Sequence, residues 1–392
     1  MRRFLVVTAA VACVALLLWY FWSGRRHSDR ARQETFSVAQ ALGGAAAPGF
    51  SRAENPRHFF FPADHGPHAG FRNEWWYFTG NLRTADGRRF GYQLTFFKTL
   101  LTPVAVARES AWATNQVYMA HFAVTDVAGK RYRFAERFSR AALGLAGAGG
   151  DPLSLRLEDW TVRQSSPRPW GVRLTAAEPD FAVDFDLVSV KPEILNGEGG
   201  LSRKGATPGN ASYYYSIPRM ATSGTIRIGK ERFAVSGISW LDREWSTSAL
   251  EQNQVGWDWF ALQFDDGRDL MFYQLRRRDG GSDPFSGGTL VAADGRSRNL
   301  TRDEVQLEVV SWWQSPASGV RYPSLWRLRI PSQGLYLEVV PRLAGQELLT
   351  GFRYWEGAVA VRGLNGSPGG SGYLEMTGYS AATAANREPP GR

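Results

Sequence analysis

The chain has 392 residues with 42 Gly, 15 Trp, 14 Tyr and 23 Phe, enough for two cores and a make-up suited to short strands rather than long helices. Its formal charge is +9, but Arg2, Arg3, Arg25, Arg26, Arg30 and Arg32 crowd around one N-terminal apolar segment; no continuous basic stripe is left, which excludes a nucleic-acid surface. The one cysteine, Cys13, lies inside that apolar segment, so disulfides and thiol chemistry are excluded from the folded body.

Residues 4–22 are uncharged and mostly apolar, with Arg2 and Arg3 before them and Arg25 and Arg26 after. As a helix this stretch rises about 28 Å, close to the thickness of a bilayer core. Trp19, Tyr20 and Trp22 fall where an interfacial aromatic belt lies. Residues 1–24 read as a signal anchor or a cleaved signal peptide, with the inner membrane as partner through residues 4–22. The expected location is exported, periplasmic or extracytoplasmic. Residues 25–55 are polar and Ala/Gly-rich and read as a linker.

From residue 56 onward, short alternating runs follow one another between turn signals. The first tryptophan-rich run is Trp75-Trp76-Tyr77-Phe78, followed by a turn at Asp86-Gly87-Arg88 and the return Tyr92-Gln93-Leu94. Further runs are 89–97, 116–125, 131–138, 154–163, 171–176 and 181–189. Residues 196–212 are rich in Gly, Ser and Asn and read as a long loop. Tyr213-Tyr214-Tyr215 resumes an extended strand, ended by Pro218. A second tryptophan hairpin has the same form: Trp257-Asp258-Trp259-Phe260, Asp266-Gly267-Arg268, Tyr273-Gln274-Leu275. A DG pair between aromatic runs is a strong hairpin signal. Its recurrence predicts two related all-β domains, 56–225 and 226–380, with a frayed tail at 381–392. The even spacing suits antiparallel barrels, and a barrel of about eight strands can enclose one small apolar ligand.

Carboxylates recur beside indoles. In Trp240-Leu241-Asp242-Arg243-Glu244-Trp245, strand spacing puts Trp240, Asp242 and Glu244 on one face. A carboxyl beside aromatic rings loses hydration and its pKa rises. A neutral Asp242 can then protonate a double bond, with ring faces stabilising the cation. The competing reading is an Asp–Arg–Glu ion network that braces the barrel. Glu74 before Trp75, Asp258 between Trp257 and Trp259, and Glu356 after Tyr354-Trp355 repeat the theme, with Arg353 and Arg362 in reach of Glu356. His65 and His68, beside Asp64, have a spacing compatible with metal, and His121 follows on a later strand. No further ligand converges, so the histidines read as hydrogen-bonding groups that pin a loop, and no metal or other cofactor is expected. Neither a G-x-S-x-G elbow nor an H-E-x-x-H helix is present.

Together these segments carry a resemblance. The chain resembles the two-domain lipocalin-like group of bacterial carotenoid 1,2-hydratase (hydroxyneurosporene synthase) and "predicted secreted hydrolase" proteins, and more distantly fungal lipocalin-type Diels–Alderases. The matching segments run from Phe61-Pro62-Ala63-Asp64-His65-Gly66-Pro67-His68 and Asn73-Glu74-Trp75-Trp76 through Ala120-His121-Phe122-Ala123 and Ser212-Tyr213-Tyr214-Tyr215-Ser216. They continue through residues 240–245, Gly256-Trp257-Asp258-Trp259 and Tyr354-Trp355-Glu356-Gly357 to Gly372-Tyr373-Leu374-Glu375. The resemblance implies tandem lipocalin-like barrels. In the hydratases it implies an acid that protonates a terminal double bond; Asp242 matches that acid, with Trp240 and Glu244 in the same segment. Glu74, Trp76, His121, Tyr214, Trp245, Trp257, Asp258, Tyr354 and Trp355 are the expected ligand-lining positions.

Two functions follow. One is a membrane-tethered protein that binds an apolar small molecule or lipid, with ABC-transporter components as partners, since the secreted branch is often encoded beside them. The other is a cofactor-free hydratase or cyclase. A cavity wall at Asp242 marks the enzyme; an arginine pairing with it marks the brace.

Overall fold

In the computed structural model, residues 48–104, 107–247 and 250–380 are described, all within one compact unit. The expected anchor, most of the linker and the tail lie outside the described residues. Among the described residues no helix is long and apolar enough to cross a membrane. The fold is all-β, its strands interrupted by short 3-10 turns at Ala63–His65, Arg302–Glu304 and Pro331–Gln333.

The first sheet has 13 strands. They are β1 (Asn73–Arg83), β2 (Arg89–Leu100), β3 (Gln116–Asp126), β4 (Arg131–Arg140), β5 (Ala146–Gly149), β6 (Ser154–Leu157) and β7 (Trp160–Pro167), then β8 (Trp170–Ala177), β9 (Phe181–Ser189), β10 (Ile194–Leu195), β11 (Leu201–Arg203), β12 (Ala211–Ile228) and β13 (Glu231–Ser246). Their order is β4-β3-β2-β1-β13-β12-β9-β8-β7-β6-β5, with β10 and β11 paired to β12. The ends β3 and β4 come back against β5 and β6, which gives the sheet a barrel shape.

The second sheet has 10 strands. They are β14 (Gln254–Phe264), β15 (Asp269–Arg277), β16 (Gly287–Val291), β17 (Ser297–Thr301) and β18 (Gln306–Gln314), then β19 (Arg321–Ile330), β20 (Leu335–Pro341), β21 (Glu347–Leu349), β22 (Arg353–Gly363) and β23 (Gly370–Met376). The order β17-β16-β15-β14-β23-β22-β20-β19-β18 curves as a half-barrel rather than the second full barrel expected. The sheets divide after Ser246, so β13 belongs with the first sheet, whereas the sequence spacing sets the boundary at 225/226.

Both DG dipeptides form the hairpin turns expected, β1 to β2 and β14 to β15. Gly87 and Gly267 have φ of 88° and 87°, the left-handed region that a Cβ disfavours. Three other expectations differ. Run 154–163 is two strands, because Glu158 turns left-handed at φ 56°. Pro218 does not end its strand; β12 runs past it through a register shift between Ile217 and Met220, and a bulge is where a sheet tolerates proline. The 196–212 loop holds β11, which pairs with β12.

Each sheet fills its own interior. In the first, Trp76, Phe78, Leu94, Phe96, Phe122, Trp160, Phe185, Tyr215, Leu241 and Trp245 form one cluster. In the second, Phe260, Leu262, Phe272, Trp326, Leu337, Trp355 and Leu374 form another. The interiors are packed with side chains, as small barrels are.

The opposite faces of β1, β2, β12 and β13 meet those of β14, β15, β22 and β23. Tyr214 and Trp240 from one sheet pack with Ala261, Met271, Tyr273 and Leu275 from the other. The approach is close enough that a Cβ on Gly91 would lie 2.6 Å from Cβ of Ala358, so the seam requires glycine there. Lys191 and Arg219 of the first sheet's half both reach Asp269, at 2.6 and 2.8 Å.

Candidate functional site at the seam of the two sheets

Alternation on β13 decides which side chains reach the seam. Leu241, Arg243 and Trp245 turn to the interior of the first sheet, and Trp240, Asp242 and Glu244 turn to the second. The neighbouring strands supply matching faces, with Tyr77 and Ser216 directly opposite Asp242 and Trp75 and Tyr214 opposite Glu244. From the second sheet, β14 contributes Trp257 and Trp259, β22 contributes Tyr354 and β23 contributes Glu375. Asp242, Glu244, Trp75, Tyr77 and these four, with Gln93, Thr95 and Phe97 of β2, line one cavity. Its volume is about 40 Å³, space for about one to a few waters. Trp75, Phe97, Trp257 and Trp259 are half-buried, so these four rings are where the cavity wall meets solvent.

Asp242 is 3% exposed. One oxygen accepts from Ser216 Oγ at 2.5 Å and from Trp240 Nε1 at 2.8 Å, and the Tyr214 hydroxyl also bonds its carboxyl. No lysine or arginine among the described residues pairs with it. Burial pushes its pKa up to about 6; the three donors oppose that rise, and Glu244 adds to it.

Glu375 accepts from Trp257 Nε1 at 3.0 Å. Burial raises its pKa to about 8, opposed by that indole and reinforced by Asp242 and Glu244. Glu356 faces Glu375 across β22 and β23 and is raised by burial and by Glu375, against the bond from Tyr77. It pairs with neither Arg353 nor Arg362: Tyr77 Oη donates to it at 2.5 Å. Glu244 accepts from Ser212 on one oxygen, with Lys204 Nζ 3.4 Å away; its other oxygen, Oε2, is buried without a hydrogen-bond partner.

The bracing network exists, but on the other face and without Asp242. Arg243 pairs with Glu74 and lies over the Trp76 ring at 3.9 Å. Lys98 meets Glu74 at 2.6 Å, and the His68 backbone N–H donates to it at 2.9 Å. Burial opposes ionisation of Glu74, yet Arg243, His68 and Lys98 outweigh it and hold the pKa down at about 2.

Of the ligand-lining candidates, Trp257 and Tyr354 line the cavity, and Tyr214 backs it through Asp242. His121 stands one residue further out. Its Nδ1 is 2.6 Å from Tyr354 Oη and its Nε2 is 2.9 Å from Glu136. Glu74, Trp76, Trp245, Asp258 and Trp355 do not reach the cavity. Trp76, Trp245 and Trp355 belong to the two interiors, Glu74 to the ion network, and Asp258 to a cluster with Arg276 and Tyr379. They sit one position out of phase, and a strand buried on both faces gives no sequence clue to which face is which. Sequence reasoning missed Trp75, Tyr77, Phe97, Trp259 and Glu375. The one available signal was parity: Tyr77 shares its face with Trp75, and Glu375 with Tyr373.

The histidines near the N-terminus do pin a loop. His65 Nδ1 is 2.7 Å from Tyr215 Oη, and His68 Nε2 is 2.9 Å from Asp64. Among the described residues no three His, Cys, Asp or Glu side chains are grouped to hold a metal ion.

Fold and site together define an all-β, lipocalin-like protein whose acidic, aromatic pocket lies between two sheets rather than inside one. The chain belongs to the AttH-like family, whose pattern it matches over residues 52–379. A crystal structure of an AttH protein from Nitrosomonas europaea is similar at 35% identity and TM-score 0.76, covering 84% of this chain and all (100%) of that one. Kievitone hydratase from Nectria haematococca shares the fold at 15% identity and TM-score 0.63, over 85% of this chain and 99% of that one. No curated protein matches the sequence.

Proposed function

We propose that the seam pocket adds water across a carbon–carbon double bond of an apolar substrate, without a cofactor. One observation carries the reading: Asp242 and Glu375, from opposite sheets, face a single aromatic cavity, and no lysine or arginine among the described residues pairs with either. Two carboxyls whose environments separate their pKa values divide the acid and base roles between them. Glu375, at about 8, holds its proton near neutral pH and is the donor. Asp242, at about 6 and steadied by Ser216 and Trp240, is the carboxylate that takes a proton from the attacking water. This reverses the role expected for Asp242 from its motif.

The steps balance. The Glu375 proton adds to one alkene carbon and a carbocation forms at the other, beside the ring faces of Trp75, Trp257 and Trp259. Water bonds to that carbon and gives a proton to Asp242. Transfer of that proton back to Glu375 restores the pocket, and one water is consumed. The likeness to kievitone hydratase is one of fold, so the chemistry rests on the pocket residues.

The test is incubation with a panel of acyclic isoprenoid alkenes in heavy-oxygen water, read by mass spectrometry. Labelled alcohol is expected from the parent protein and not from Asp242→Asn or Glu375→Gln. A panel that yields no labelled product overturns the reading.

The apolar segment 4–22 supports a further element of the proposal: the protein is exported and tethered at the outer face of the cytoplasmic membrane, where apolar ligands or lipids concentrate and ABC-transporter components are its partners. Carbonate washing that strips the protein from membranes would count against the tether.

A further inference from the structure

We propose that the seam pocket is a receptor for a small organic cation of the quaternary or tertiary ammonium class. The inference shares its pocket with the proposed hydration but does not need the reaction. A carbocation and an ammonium ion carry the same charge in a similar shape, so walls that stabilise one suit the other.

Three observations support it. The first is an unused acceptor: Oε2 of Glu244, a residue 1% exposed in the cavity wall, is buried with no hydrogen-bond partner. Leaving such an oxygen unpaired costs about 1–3 kcal/mol; a quaternary ammonium offsets that cost by charge attraction, and a tertiary ammonium also donates its N–H. The second is a charge imbalance. Asp242 and Glu244 both line the cavity, Glu375 holds its proton near neutral pH, and Lys204 is the one cation against the pair among the described residues, 3.4 Å from Glu244 and not paired with Asp242.

The third observation is that the protein already seats an ammonium beside this wall, over Trp259, which lines the cavity. Lys204 Nζ lies 3.9 Å from the Tyr273 ring centre, 4.7 Å from that of Trp259 and 5.4 Å from that of Tyr214. Tyr273 and Trp259 are themselves stacked at 4.6 Å. Ammonium over stacked aromatic faces with a carboxylate alongside is the arrangement used to recognise choline-like groups. Lys204 lies over Trp259, while Trp75, Trp257 and Phe97 also line the cavity and no cation of the described residues lies over them.

The selectivity excludes alternatives. A metal ion needs converging ligands that are not grouped here among the described residues. An anion would meet the carboxylates of Asp242 and Glu244. A neutral apolar group would gain from the rings but leave Oε2 of Glu244 without an opposing charge.

The test is calorimetric titration of the full chain with choline and with dimethylbutanol, its uncharged carbon isostere, at matched ionic strength near neutral pH. Choline is expected to bind roughly tenfold tighter or better. Glu244→Gln is expected to remove most of that preference, lowering choline affinity far more than dimethylbutanol affinity. Because Glu244 is buried, Asp242→Asn is a second variant: it removes the other carboxylate of the wall and is likewise expected to reduce the preference for choline. Equal affinity for the two ligands, no choline binding, or a preference that survives both substitutions overturns the inference. Choline failing while labelled alcohol still forms removes this inference and leaves the hydration; the converse removes the hydration alone.

Discussion

Tyr77 on the first sheet donates a 2.5 Å hydrogen bond to Glu356 on the second. The bond is buried, and the other oxygen of Glu356 has no hydrogen-bond partner. It fixes the distance between the strands that carry Asp242 and Glu375, because Tyr77 is the direct cross-strand neighbour of Asp242 and Glu356 that of Glu375.

Tyr77→Phe keeps the ring and removes the donor. The Glu356 carboxyl then stays buried with no donor from the described residues of the first sheet, and a loss of about 1–3 kcal/mol is expected in urea unfolding. An unfolding midpoint equal to the parent's would show that the bond contributes nothing.

The acids also set a pH dependence. Glu375 is raised from 4.5 to about 8 and Asp242 from 3.8 to about 6, so the folded chain binds more protons than the unfolded chain between those values. The stability these groups contribute is full below about pH 4 and drains away as pH climbs through about 8. Glu74 acts in the other direction. Held down from 4.5 to about 2, it contributes stability above about pH 4.5 that is lost as pH falls toward 2. The melting temperature is therefore expected to peak in mildly acidic buffer and to fall toward about pH 8, with a shallower fall in Glu375→Gln. A melting temperature that rises over that interval contradicts the assignment.

Arg243 is fully buried against Glu74. Removing one member of such a pair strands the other, at a cost of about 3–5 kcal/mol. Arg243→Leu should show that loss in guanidinium unfolding, and Arg243→Leu with Glu74→Gln should recover part of it. A double variant no better than the single one would mean that Lys98 and the His68 backbone already satisfy Glu74.

The chain Tyr354–His121–Glu136 runs from the cavity wall outward. His121→Gln and Tyr354→Phe, combined in a double-mutant cycle, should show a coupling of about 0.5–3 kcal/mol. Additive effects would mean the 2.6 Å contact carries no energy of its own.

Alternation in residues 240–245 was enough to put Trp240, Asp242 and Glu244 on one face, and the two DG turns were enough to place both hairpins. What alternation could not do was choose between faces. On a one-sided sheet the polar parity is the solvent side, but here both faces of β1, β13 and β22 are buried, and either parity reads the same. For that reason Trp76, Trp245 and Trp355 read as ligand contacts in the sequence although they pack the interiors, and Asp242 and Arg243, adjacent in sequence, end in separate clusters. Glu375 was hidden for another reason. Its partner across the cavity is 133 positions earlier in the numbering, and only the meeting of two sheets brings them together.

The tryptophan hairpins give the chain its repeated look, yet the pocket takes one wall from each copy. An ancestor with a single hairpin domain would have possessed neither a complete cavity nor a pair of acids to oppose. Chimeras that exchange one half between relatives should therefore keep their fold while changing what they recognise, because each half carries only one side of the lock.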